Sequence, residues 1–128
     1  LCRQAVTSGE MVLKSSGKQY RDFVSLHDVG AAVEHFLFTI QGQWGDGLYN
    51  LGGDGSLSIA EAAKTIAKVY EKKYGKRISI EIIGKDDEGT CDPVHFNVDK
   101  LKLTGFQLTG NMEMEIEQTL SLCETFTT

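Results

Sequence analysis

A chain of 128 residues and 14.1 kDa predicts a single domain over 1–128, and 41% hydrophobic with 24% charged residues is an ordinary balance for a soluble globular protein. That balance excludes a disordered, collagen-like or disulfide-scaffold chain. With 13 Lys and Arg against 18 Asp and Glu, the net charge is −5 and the pI about 5.1, the wrong sign for wrapping nucleic acid or coating an anionic membrane, so neither is expected as a partner.

Cys2, Cys91 and Cys123 are odd in number and lack Cys-x-x-Cys spacing, so they are expected as free thiols in a reducing compartment, with the cytoplasm as the expected location. No apolar run reaches the 18 residues of a membrane span, and the opening Leu1-Cys2-Arg3-Gln4 has no signal-peptide pattern. The chain starts without Met in what reads as the middle of a helix, which suggests a piece of a longer protein.

In chain order, Met11-Val12-Leu13-Lys14 reads as a strand entering a loop at Ser15-Ser16-Gly17-Lys18, and Phe23-Val24 as a second short extended piece. Val29, Val33, Phe36, Leu37 and Ile40 fall on one face of a helix that stops before Gly42, with Asp28 as its expected N-cap. A Gly-rich turn holding Trp44 leads to an expected strand Leu48-Tyr49-Asn50-Leu51. Ser58-Ile59-Ala60-Glu61 has capping-box spacing, in which hydroxyl and carboxylate each satisfy a backbone N–H at the helix start. The helix it opens, with the stripe Ile59, Ala62, Ala63, Ile66 and Tyr70, ends near Gly75. Ile78, Ile80 and Ile82 alternate with polar residues as a half-buried strand, and an acidic loop runs from Gly84 to Pro93. Asp99 is placed to cap a short helix closed by Gly105, and Met112, Ile116, Leu120 and Cys123 mark a last helix. The order is that of a small mixed α/β fold with about four helices and three or four strands.

His27, His35 and His95 have no metal-ligand spacing, so no metal is expected. The stretch Gly53-Asp54-Gly55-Ser56-Leu57-Ser58 places a glycine turn before a helix N-terminus, as in dinucleotide cradles. Its third glycine is replaced by Ser58 and no acidic residue ends a strand about 20 positions on, so a tight turn into a capped helix is the favoured reading. Arg21, in Gly17-Lys18-Gln19-Tyr20-Arg21-Asp22-Phe23-Val24, offers a planar fork of donors suited to phosphate oxygens. An Arg beside an Asp is, by composition alone, more often a solvated surface pair.

The pattern Gly-x-Gln-x-Arg-Asp-Phe-Val then Asp-Val at 17–29, followed by Tyr-Asn-Leu-Gly-Gly at 49–53, resembles the C-terminal half of the extended short-chain dehydrogenase/reductases, the NAD-dependent sugar-nucleotide epimerases and dehydratases. The resemblance continues in order through the Ser58-capped helix, the Ile-rich strand, Asp99-Lys100-Leu101 and Gly105-Phe106, and so covers nearly the whole chain. It implies the substrate half of such an enzyme, which grips the nucleotide diphosphate of a sugar nucleotide. Arg21 matches the family's diphosphate arginine, with Gln19 and Tyr20 on the same loop and Asp92 and His95 on a second one. Where the family places a second arginine, this chain has Glu88-Gly89-Thr90-Cys91, and an imidazole at His95 does not reproduce an arginine fork.

The family's Rossmann half, with its Gly-x-x-Gly-x-x-Gly turn and Tyr-x-x-x-Lys pair, has no counterpart here. Tyr20, Tyr49, Tyr70 and Tyr74 are followed four positions on by Val24, Gly53, Tyr74 and Ile78, so no Lys sits one turn away to lower a phenol pKa. No catalytic residue and no cofactor are therefore expected in this chain, and NAD or NADP is implied for a full-length parent only. The expected partners are a nucleotide sugar, the absent Rossmann domain and, through apolar surface uncovered on the Phe36–Phe38 helix or the Tyr49 strand, a second copy of the chain. Light scattering at high concentration is expected to show a dimer or larger species, and a clean monomer would refute that expectation. Two rival readings are a stand-alone binding or assembly module and a small enzyme of another class built on His27, Asp28 or His95, for which no spacing motif exists.

Overall fold

In a computed structural model the described residues are 1–53, 55–85 and 92–126. They form a mixed α/β fold of five α-helices and four short strands, in two compact units. Among the described residues, no helix is long and apolar enough to cross a membrane.

The first unit draws on 1–21, 57–93 and 112–128. Helix α1 (Cys2–Ser8) ends at Gly9, which takes the left-handed conformation at φ 71° and turns the chain into strand β1 (Glu10–Leu13). β1 pairs in parallel with β4 (Ser79–Ile82), Glu10 opposite Ser79 and Leu13 opposite Ile82. Helix α3 (Ile59–Tyr74) connects toward β4, and α5 (Met112–Thr125) packs against both α1 and α3. The capping box forms as its spacing predicts. Ser58 Oγ accepts from Glu61 N at 3.1 Å and Glu61 Oε2 accepts from Ser58 N at 2.8 Å, while Gly75 closes the helix at φ 67°. Met11 and Leu13 from β1, Ala63, Ile66 and Val69 from α3, and Ile116 and Leu120 from α5 form the core of this unit around Ala5. The Ile strand is less buried than its alternation predicts, with Ile82 50% exposed.

The second unit draws on 22–56 and 94–111. Helix α2 (Leu26–Glu34) passes into a π-helical turn over His35–Thr39, and α4 (Asp99–Lys102) lies later in the chain. Its small core joins Ala32, Leu101 and Phe106, flanked by Phe36, Tyr49, Leu51 and Leu108. The Gly-rich turn is held by Trp44 Nε1 donating to Phe36 O at 3.1 Å, and by Lys100 Nζ, which donates to Leu48 O at 2.7 Å and pairs with Asp46. Strands β2 (Tyr20–Asp22) and β3 (Ser56–Ser58) form a second two-stranded pair.

Several local expectations are corrected. Ser25, not Asp28, caps α2, its Oγ accepting from Asp28 N at 2.9 Å. Asp28 is thereby the third helical residue, and its carboxylate is buried. The inward face of α2 is Asp28 and Ala32 with half-buried Ala31 and Phe36. The stripe Val29, Val33 and Leu37 faces out at 36, 55 and 53% exposure, because alanines let the helix approach its neighbours more closely than valines would. Phe36 and Tyr49, expected on uncovered surface, pack against each other with ring centroids 4.7 Å apart, leaving Phe38 exposed. The segment 48–51 is irregular rather than a strand, since no neighbouring strand pairs with it among the described residues. Extended pairing begins earlier than Phe23-Val24, at Tyr20. At α4 the capping side chain is Asn97, whose Oδ1 accepts from Asp99 N at 2.8 Å, and Asp99 is the first helical residue.

Candidate functional site

Gly17 begins the loop that carries the candidate phosphate-binding residues. It is buried at φ +74°, and a Cβ there would stand 3.1 Å from both Ala60 Cβ and Leu13 Cδ1, so both conformation and space demand glycine. This close approach lets two loop carbonyls reach the start of α3: Gly17 O accepts from Ala60 N and Gln19 O from Ile59 N, each at 2.9 Å. Together with the capping box, the amides of Ser58, Ile59, Ala60 and Glu61 are all satisfied within the protein. A helix N-terminus whose amides are already bonded has none to offer a pyrophosphate. The turn before Ser58 is therefore a route into a capped helix, and the residues of this chain do not fit a dinucleotide there.

Arg21 lies on β2 with its side chain exposed. Its Nη2 donates to Gln19 Oε1 at 3.1 Å and its Nη1 to Tyr20 O at 2.9 Å. Of five guanidinium donors two are engaged, leaving three uncommitted among the described residues. Gln19 and Tyr20 are half-buried, so the structure gathers three of the five predicted residues on one short stretch, with Gln19 and the Tyr20 carbonyl orienting Arg21. Asp92 and His95 lie on an irregular, exposed segment, and among the described residues neither makes a hydrogen bond or ion pair. The stretch 88–91, where the second family arginine is replaced, lies outside the described residues.

The two sequence blocks that carry the family resemblance meet in space. Asp22 Oδ1 accepts from Gly53 N at 2.6 Å across 31 positions, tying Arg-Asp-Phe-Val to Tyr-Asn-Leu-Gly-Gly. Asp22 thus bonds across the chain and, among the described residues, does not form the solvated pair with Arg21 that composition suggests; the available signal was an acidic residue in one block and a Gly-Gly step in the other. Asp28 is committed elsewhere, accepting from Thr109 N at 2.8 Å, Gly110 N at 2.9 Å and Ser25 Oγ at 2.9 Å. Burial pushes its pKa up, but the bonds from Thr109, Ser25 and Gly110 outweigh that effect and hold it below the ordinary aspartate value. It is a structural carboxylate rather than the acid or base of a small enzyme.

No family model matches the chain, and no curated protein is significantly similar to it in sequence. Solved structures are similar. The dTDP-glucose 4,6-dehydratase (rfbB) of Bacillus anthracis, in complex with NAD, matches with a TM-score of 0.65 and 19% identity over 97% of this chain and 37% of its own. RMD from Pseudomonas aeruginosa, complexed with NADPH, gives 0.71 and 18% over 97% of this chain and 38% of its own. TunA, an NAD-dependent NDP-hexosamine 5,6-dehydratase involved in tunicamycin biosynthesis, gives 0.68 and 17% over 98% and 39%. The chain thus spans under two fifths of the length of each of these structures. At such identities the likeness is one of fold: the chain folds like a portion, under two fifths, of each of these structures.

Proposed function

We propose that this chain is the substrate-binding portion of an NAD(P)-dependent nucleotide-sugar epimerase or dehydratase, and that Arg21 grips the nucleotide diphosphate. The observation that carries the reading is the exposed Arg21 fork with three uncommitted donors, on a stretch whose neighbouring carbonyls are bonded to α3. A planar fork matches two phosphate oxygens, and charge-assisted bonds are the strong kind. The similarity in fold to two dehydratases whose names specify dTDP-glucose and NDP-hexosamine supports the substrate class. Hydride transfer belongs to a further Rossmann portion with its cofactor, because no Tyr here is followed by Lys at the required spacing. This portion supplies binding energy and orientation to a reaction that takes place on the other.

An amide NMR titration of the chain with UDP-, dTDP-, GDP- and CDP-sugars, with NAD as control, tests this. Saturable shifts over 17–24 with one nucleotide are expected. Arg21→Ala should weaken that binding by about 10- to 100-fold, since a hydrogen bond to a charged group contributes about 1.5–3 kcal/mol. Silence across the panel, or binding unchanged by Arg21→Ala, would overturn the reading and favour a non-catalytic assembly module.

A further inference from the structure

We propose that an open depression in the second unit, at the π-helical turn, is a binding site for a guanidinium group. The depression has a volume of about 350 Å³ and is lined by Glu34, His35, Phe38 and Thr39 on one side and by Phe106 and Gln107 on the other. Three of these residues, His35, Phe38 and Thr39, belong to the widened turn, in which Ile40 N reaches back five residues to His35 O at 3.1 Å. Such a turn is rare and is frequently found at functional sites.

The hydrogen bonds fix the orientation of His35. Thr104 Oγ1 lies 2.6 Å from Leu101 O, so its single proton is directed to that carbonyl. Toward His35 Nε2, 2.8 Å away, the same hydroxyl can only accept, so Nε2 donates to it and the bond orients the imidazole ring. Nδ1 has no partner among the described residues, and the Glu34 carboxylate, which lines the same depression, has neither hydrogen bond nor ion pair among them. The site therefore offers a carboxylate, an imidazole edge and the exposed ring of Phe38, with no Lys or Arg in its lining. A planar cation that donates in its plane and stacks on an aromatic face satisfies all of these at once. Guanidinium does so, whereas an ammonium group is a point charge without a face.

The test is an amide NMR titration with methylguanidine and with the acetylated, amidated peptide Gly-Arg-Gly, using Gly-Lys-Gly as comparison. Saturable shifts at 31–39 and 104–107 with either arginine-type probe, and at least tenfold weaker binding in Glu34→Gln, support the site. A response to both probes assigns recognition to the headgroup alone, and a response to the peptide only assigns it to a polypeptide's arginine side chain. Glu34 and Phe38 are exposed, so Glu34→Gln and Phe38→Ala are expected to fold, and Phe38→Ala should weaken binding severalfold through loss of the stacking face. The proposal is overturned if neither probe binds, if the lysine peptide binds as well as the arginine peptide, or if Glu34→Gln leaves binding unchanged.

Discussion

Gly53→Ala is expected to lower stability by about 3 kcal/mol or more, whereas Gly30→Ala in the same unit should raise it by about 0.5–1 kcal/mol. A Cβ on Gly53 would fall 1.9 Å from the Phe23 carbonyl oxygen, and that obstacle is backbone, which cannot rotate away as a side chain could. The segment 52–53 must then separate from 22–23, and the 2.6 Å bond from Gly53 N to Asp22 goes with it. Overpacking costs about 1–3 kcal/mol, and a hydrogen bond to a carboxylate contributes about 1.5–3 kcal/mol. Gly30 lies within α2 with open space around its Cβ position, so alanine there gains helix propensity with no clash. Thermal unfolding followed by circular dichroism should show the first variant melting on the order of 10 °C or more below wild type. A midpoint within about 2 °C would show that the two motif blocks are not held together as described.

Asp28→Ala should cost about 2–4 kcal/mol, because three hydrogen bonds to one buried carboxylate are lost together and α2 is released from the Thr109–Gly110 turn. Asp28→Asn preserves shape, yet its amide must turn a donor toward Ser25 Oγ and Gly110 N or toward Thr109 N, so it should be destabilising as well. The pH dependence separates charge from packing. Asp28 has its folded pKa held below the unfolded value of about 3.9, so its ionised form contributes stability that is fully present above that value and is lost as pH falls through the folded pKa. Urea unfolding should therefore show a gap between wild type and Asp28→Asn that is constant near neutrality and narrows in acid. A gap independent of pH down to the acid limit would mean that the charge contributes nothing.

Features encoded within a few residues were legible in the sequence. The capping box at Ser58, the glycine stop at Gly75 and the last helix need only local chemistry, and all three stand where spacing puts them. Asp28 differs from the N-cap its position suggests because its role is set by amides 81 and 82 positions away, invisible to any local pattern. The same holds for 48–51, whose composition suits a strand but which finds no pairing partner, and for α2, where small alanines won the inward face from larger valines. The π-helical turn left no mark on the apolar spacing through Ile40. At the candidate site, motif likeness located Arg21 and its neighbours, but the bonds that orient Arg21 and the contact between the two motif blocks emerged only from the fold.

The use of α3's leading amides has a consequence for how the stretch before Arg21 responds to a visitor. Helix starts commonly hold those donors for an incoming anion, and flexible loops then lose their freedom as it arrives. Here the carbonyls of Gly17 and Gln19 have taken them at folding. The conformational entropy of 17–19 is thus surrendered once, with the rest of the core, and an arriving ligand finds a stretch already ordered. Any movement of this stretch must first break the cap of a sixteen-residue helix, so its mobility is coupled to the opening of α3 itself.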